Sequence, residues 1–221
     1  MRLTVFNGSP RGENSNSRIL LEAFLKGYLK TWGKVTAVHY LREAGDHEEM
    51  VRHFLDSSNV MIAFPLYVDS MPAPVKAFIE KLEPYKGTLG GVRLGFVVQS
   101  GFPEAIHCRA VERYLFKLST RLGCKYLGTV VRGGVESVRY GPGWINSRML
   151  SSFARLGETF GRTGQLDPKM IRRLAKRELF PTLSIPILRV LNSSGILGSF
   201  WDKKLKENNA YSGRFARPYQ E

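Results

Sequence analysis

Cysteine is nearly absent from this sequence, with Cys108 and Cys124 the only two among 221 residues. They fall in or beside one helical stretch about four turns apart, too far along a straight helix to bond each other. No disulfide framework is expected, and both read as reduced thiols. Long apolar runs are missing as well. No stretch reaches the roughly 18 apolar residues of a membrane span, and the first residues enter a strand pattern without an apolar leader region. That reads as a cytoplasmic protein. The four histidines, His39, His47, His53 and His107, lack the paired spacing of a metal site, so no metal is expected. Negative charge is scarce too: 19 Asp and Glu face 33 Lys and Arg, a formal net charge of +14. Such a field attracts nucleic acid, anionic lipid or acidic small molecules. The excess is spread along the chain, with 11 basic and 5 acidic residues in 167–221 and 22 and 14 in 1–166. Neither part carries a nucleic-acid motif, so no specific nucleic-acid partner is expected.

What is present is an alternation of short apolar runs and helical stripes. With 43% hydrophobic residues, the chain can bury one sizeable core. Strands are expected at Arg2–Phe6, Val35–Leu41, Val60–Phe64, Leu94–Gln99 and Tyr126–Val131, each rich in β-branched or aromatic residues. Most are apolar on both faces, which belongs to a parallel sheet covered on two sides. Between them, Leu21, Phe24, Leu25, Tyr28, Leu29 and Trp32 form one apolar helical stripe. Asp46 with Glu49 makes an Asp variant of a capping box for the second helix. A third helix starts near Pro72 and buries Val75, Phe78, Ile79 and Leu82. A fourth presents Val111, Leu115, Leu118 and Leu122, and a fifth covers 146–160. Strict alternation predicts an α/β, doubly wound, five-stranded parallel sheet of order 2-1-3-4-5, spanning residues 1–165. Residues 166–221 form a basic, mostly helical C-terminal extension.

The segment Asn7-Gly8-Ser9-Pro10-Arg11-Gly12-Glu13-Asn14-Ser15-Asn16-Ser17 follows the first strand and opens a helix. Glycine permits a close backbone turn, hydroxyl and amide groups line it, and the helix start points unpaired N–H groups and a positive dipole end at the bend. An anion is the natural guest, and the planar fork of Arg11 matches a phosphate monoester. In a doubly wound sheet the ligand crevice lies at the carboxyl ends of the strands, at the switch point. The loops there are 7–17, Pro65–Met71 and Ser100–Glu104, with Gly133–Val138 behind them.

Gly8-Ser9-Pro10-Arg11 with Ser15-Asn16-Ser17, and Pro65-Leu66-Tyr67 with Met71-Pro72-Ala73-Pro74-Val75-Lys76-Ala77-Phe78-Ile79, carry a resemblance. The chain resembles the flavodoxin-like NAD(P)H-dependent FMN reductases over roughly residues 1–165. The resemblance implies FMN as cofactor and NADPH or NADH as co-substrate. It puts Ser9, Arg11, Ser15, Asn16 and Ser17 at the FMN phosphate, and Pro65, Leu66, Tyr67 and Ser70 along the isoalloxazine edge. On a looser match, Ser100, Gly101 and Phe102 close the other side of the ring. Backbone amides of Val68 to Ser70 would serve flavin N5, and no catalytic side chain is implied. The implied activity is hydride transfer from NAD(P)H to FMN and then to a small acceptor such as a quinone, a nitroaromatic, an azo compound or free flavin, in a homodimer. Relatives with an iron–sulfur cluster carry a compact cysteine motif before the flavin loop. Here no cysteine precedes Cys108, so no cluster is expected. Electron-carrier flavodoxins are usually acidic with a Thr-rich first loop, whereas this loop holds Arg11 in a basic chain.

The extension opens with a basic amphipathic helix, Lys169–Arg177. A run from Phe180 to Leu191 follows that is apolar but broken by Pro181 and Pro186. Three readings stay open: packing on the domain or a dimer partner, contact with an anionic membrane surface, or a cap over the flavin pocket. Trp201, Tyr211, Phe215 and Tyr219 mark its end as ordered rather than disordered.

Overall fold

The computed structural model describes residues 2–31, 33–42, 47–139, 143–179, 181, 186 and 196–217. Five parallel strands, β1 (Arg2–Asn7), β2 (Lys34–Tyr40), β3 (Asn59–Pro65), β4 (Arg93–Gln99) and β5 (Lys125–Arg132), form one sheet in the order β2-β1-β3-β4-β5. The expected strands and order are all present, each within one residue of its expected ends. The helices are α1 (Asn16–Tyr28), α2 (His47–Leu55), α3 (Ala73–Lys81), α4 (Arg109–Leu122), α5 (Gly143–Thr163), α6 (Pro168–Ala175) and α7 (Ile196–Glu207).

The apolar character of both strand faces follows from two separate cores. On one face Phe6, Phe64, Phe78 and Phe96 pack with α2, α3 and α4. On the other Leu3, Val5, Met61 and Val97 pack with α1, α5 and α6. Each fully buried Phe contributes about 1.5–3 kcal/mol of transfer free energy. Most of the expected α1 stripe points inward: Leu21, Phe24 and Tyr28 are buried, while Leu29 lies just past the helix end and is exposed. Trp32 and Asp46 lie outside the described residues, so the stripe's last member and the Asp46 cap do too. Pro72 caps α3, where its missing N–H is not needed. Helix α4 ends at Gly123, whose φ of +82° closes the helix in the left-handed region. Cys108 and Cys124 bracket that helix as free, buried thiols, and burial pushes each up to about 11.

The first compact unit runs from Met1 to Leu179, past the division expected after residue 165. The reason is α6. Asp167 caps it by accepting from the amides of Lys169 and Met170 at 2.7 and 3.0 Å, and Leu174 and Ala175 are buried. Leu166, Leu174, Met170 and Ile171 join the α1/α5 core. The basic amphipathic stretch is thus an intramolecular packing element over residues 168–175. The second unit, Phe180–Glu221, contains α7 and a short cation–aromatic cluster, with Arg214 lying 3.8 Å from the Tyr211 ring and 4.7 Å from the Phe215 ring. Most of the expected apolar run 180–191, and the segment 218–221 with Tyr219, lie outside the described residues. Among the described residues no helix is long and apolar enough to cross a membrane.

Candidate functional site

At the carboxyl end of β1 the chain turns into the 7–17 loop, and one buried side chain organises it. Asn7 is fully buried. Its Oδ1 accepts from the Ser9 amide at 3.0 Å, and its Nδ2 donates to Gly12 O at 3.1 Å and to Ser15 Oγ at 3.2 Å. Ser15 in turn donates to Gly12 O at 2.6 Å and accepts from the Arg18 amide, which makes it the N-cap of α1. Ile19 N–H reaches Ser15 O. The amides of Asn16 and Ser17, the other two in the first turn, have no intrahelical acceptor. Gly12 holds φ +56°, the left-handed conformation that the turn needs. Gly8 answers a different demand: a Cβ there would meet Val75 Cγ2 at 2.2 Å, so the loop sits directly on α3.

A cleft opens above this loop. It is lined by Ser9, Arg11, Asn16, Pro65, Leu66, Tyr67, Gln99, Ser100, Gly101 and Glu136. Eight of the thirteen residues expected at the site therefore line one cavity. Ser15 and Ser17 are buried behind it. Ser15 Oγ is engaged in the loop's own bonds, and Ser17 Oγ accepts from Gln99 Nε2 at 3.4 Å. Val68 and Ser70 are exposed and, like Phe102, are not among the lining residues; Phe102 stacks on His107 at 4.7 Å. Gln99 and Glu136 are lining residues that sequence reasoning did not single out.

The second wall is a tight turn. Tyr67 and Ser70 exchange backbone hydrogen bonds at 2.8 and 3.0 Å, and the amides of Val68 and Asp69 take no part in that pair. Both central residues have positive φ, +47° for Val68 and +57° for Asp69. For a β-branched residue this is a strained conformation, costing about 1–3 kcal/mol. The Val68 side chain is 99% exposed, so packing does not require it. Asp69 lies beside His107, whose Nδ1 is 3.5 Å from Asp69 Oδ1 and whose Nε2 is 3.3 Å from Glu104 Oε2. Replacing Val68 with Gly is expected to stabilise the protein by about 0.5–1 kcal/mol, because relief of strain exceeds the added backbone entropy. Urea denaturation checks this, and a loss of stability would contradict the strain assignment.

The donor set selects among ligands. Asn16 is buried, and its Oδ1 has no hydrogen-bond partner. A buried acceptor of this kind is costly unless a ligand donor reaches it. A polyol hydroxyl is such a donor, whereas an ionised phosphate is not. Arg11, about half exposed, supplies the complementary positive group, and its Nη1 lies 3.8 Å from Glu136 Oε1. The residues present thus fit a phosphorylated polyol attached to a flat ring, as in FMN. Pro65, Leu66 and Tyr67 line the same cleft and give it an apolar and aromatic side.

A groove of about 880 Å3 lies elsewhere, between α1 and α5. It lacks the convergent loops of the sheet edge, and the cleft is the better candidate on chemical grounds.

Comparison with known proteins agrees with this architecture. No curated protein sequence matches the chain. Among solved structures, the NAD(P)H:quinone oxidoreductase from Methanothermobacter marburgensis superposes with a TM-score of 0.59 at 18% identity, covering 72% of this chain and 96% of that one. An FMN-dependent NADH-azoreductase from Bacillus anthracis, solved with FMN, gives 0.57 at 14% identity, covering 72% and 99%. RosB, solved with a formyl derivative of riboflavin 5′-phosphate, gives 0.56 at 13% identity and covers 87% of each chain. At these identities the likeness establishes the fold. A family model described as flavodoxin-like fold matches residues 1–142, which take in all five strands and the three loops of the cleft, and the chain belongs to that family.

Proposed function

We propose that this protein is an FMN-dependent oxidoreductase using NAD(P)H to reduce a small acceptor, of the quinone, nitroaromatic, azo or flavin class. The observation that carries the reading is the pairing, at one cleft, of an arginine-bearing loop that opens a helix with the strained turn that follows Tyr67 on the facing wall. FMN, when bound, supplies the redox chemistry, taking a hydride equivalent from the nicotinamide and passing electrons to the acceptor. The chain's own residues bind and orient. Arg11 and the free amides at the start of α1 hold the phosphate. Asn16 Oδ1 accepts from a ribityl hydroxyl. The amides of Val68 and Asp69 donate at the ring's edge, where a strained, preformed turn avoids reorganisation during reaction. No side-chain nucleophile is needed. The solved structures named for FMN-dependent or NAD(P)H-dependent reduction support the reading by analogy of fold. We propose further that the working form is a homodimer.

The test is direct. The purified protein is expected to bind FMN with quenching of flavin fluorescence, and NADPH or NADH is expected to bleach the bound flavin promptly under anaerobic conditions. A colourless protein that leaves FMN fluorescence unchanged would sink the proposal. Bleaching only by another redox protein would make the chain an electron carrier instead. Arg11→Ala is expected to weaken FMN binding by about 1.5–3 kcal/mol, roughly 10- to 100-fold, through loss of a charge-assisted phosphate contact.

A further inference from the structure

We infer that Glu136 is a specificity-determining residue of the cleft: it competes with the ligand's phosphate for Arg11 and so sets how tightly a phosphorylated flavin is held. The inference rests on the FMN reading above. Among the lining residues Arg11 is the cation and Glu136 the anion. They come from opposite walls, Arg11 from the loop after β1 and Glu136 from the 3-10 turn Glu136–Val138 after β5. Both side chains are more than two-fifths exposed and the closest N–O distance is 3.8 Å. A pair this long and this wet is held weakly, so an arriving phosphate can take the guanidinium.

The backbone that carries Glu136 is anchored on both sides. The preceding residue, Val135, is fully buried and its amide donates to Ser100 O at 3.1 Å. On the other side, Arg139 Nη1 donates to Asn14 O at 2.7 Å, which ties the turn to the phosphate loop itself. The Glu136 Cβ would also sit 3.9 Å from a side chain placed on Gly101, so its stem runs along the cleft wall. With its base fixed on the wall and its carboxylate within 3.8 Å of Arg11, Glu136 repels a phosphate that takes the same guanidinium, even in partly solvated surroundings. A flavin without the phosphate escapes this penalty. The cleft consequently holds FMN less tightly than its loop alone would, which favours exchange of the flavin with solution.

The experiment titrates the full-length protein and its Glu136→Gln variant with FMN and with riboflavin, reading flavin fluorescence at low salt and at 0.5 M salt. Glu136→Gln is expected to tighten FMN by about 3- to 10-fold at low salt, to leave riboflavin within about twofold, and to lose most of the difference at high salt. Equal FMN affinities, equal tightening of both flavins, or weaker FMN binding by the variant would overturn the inference while leaving the FMN reading intact. The last outcome would mean that Glu136 orders Arg11 rather than competing for it. Failure of both proteins to bind either flavin would overturn the inference and the FMN reading together.

Discussion

Replacing Gly157 or Gly27 with alanine is expected to destabilise the protein by about 2–4 kcal/mol each, against the sign that helix propensity gives. On an exposed helix, Gly to Ala would stabilise by about 1 kcal/mol. Here both glycines lie where α1 and α5 cross. A Cβ on Gly27 would fall 1.7 Å from Ala154 O, and one on Gly157 would fall 1.9 Å from Phe24 O. The obstructing atoms are backbone, so no rotamer change relieves the clash and the helices must move apart. Separation weakens the packing of Phe24 and Tyr28 on Phe160, now at ring distances of 5.8 and 5.9 Å, and loosens Phe153 and Leu156 beside them. Because interiors are packed like crystals, a gap of half an ångström or more forfeits a substantial part of each contact. Urea denaturation of the two single variants and the double measures the effect. The double variant is expected to lose less than the sum, since one displacement makes room for both methyl groups. Stability equal to or above that of the parent would mean that the helices are not in backbone contact.

Those glycines also mark where the sequence stops being informative. The strands are legible because each is apolar on both faces, and two-sided burial leaves little other choice than a covered parallel sheet. The sheet order is expected from strict alternation taken with the loop after the first strand, which together suit a doubly wound sheet. The loop after β1 is legible from composition alone, because Ser and Asn before an apolar helical stripe serve the same N–H groups that bind anions. By contrast, nothing local distinguishes Gly157 from a surface glycine, since its requirement comes from a residue more than a hundred positions away. Glu136 carries no signal either: it becomes a lining residue only because β4 and β5 are neighbours and Val135 hydrogen-bonds to Ser100. The left-handed pair Val68 and Asp69 runs against propensity, which favours Asn or Gly there. Local rules fail most often at sites where a backbone shape serves a ligand. The extent of α6 packing was hidden by its charge, because Arg172 and Arg173 mask the burial of Leu174 and Ala175 on the same short helix.

Asn7→Ala is expected to remove FMN binding by about 30-fold or more and to lower stability by about 2–4 kcal/mol, linking loop architecture to ligand affinity in one residue. Asn7 stands at the end of β1, and its register partner across the sheet is Tyr40 on one side and Ala63 on the other. Its amide therefore projects from a rigid base into a loop with no regular ladder of its own. Removing it orphans the Ser9 amide and strips one partner each from Gly12 O and Ser15 Oγ, all in a buried setting. Unmade buried hydrogen bonds cost about 1–3 kcal/mol apiece where no water enters. Gly12 O keeps its bond from Ser15, which limits the total. Asn7→Asp refines the prediction. The carboxylate can still accept from the Ser9 amide but offers nothing to Gly12 O, and it adds a negative charge beneath the phosphate position. It is expected to harm FMN affinity more than riboflavin affinity, whereas Asn7→Ala weakens both. The comparison with Gly157→Ala is decisive for the site. The helix-crossing variant loses stability while its folded fraction binds FMN with parental affinity, because the crossing at Gly27 and Gly157 lies at the far end of α1 from Asn16 and the cleft. An Asn7→Ala variant that also kept parental affinity would show that the phosphate does not lie on this loop, whatever its effect on folding.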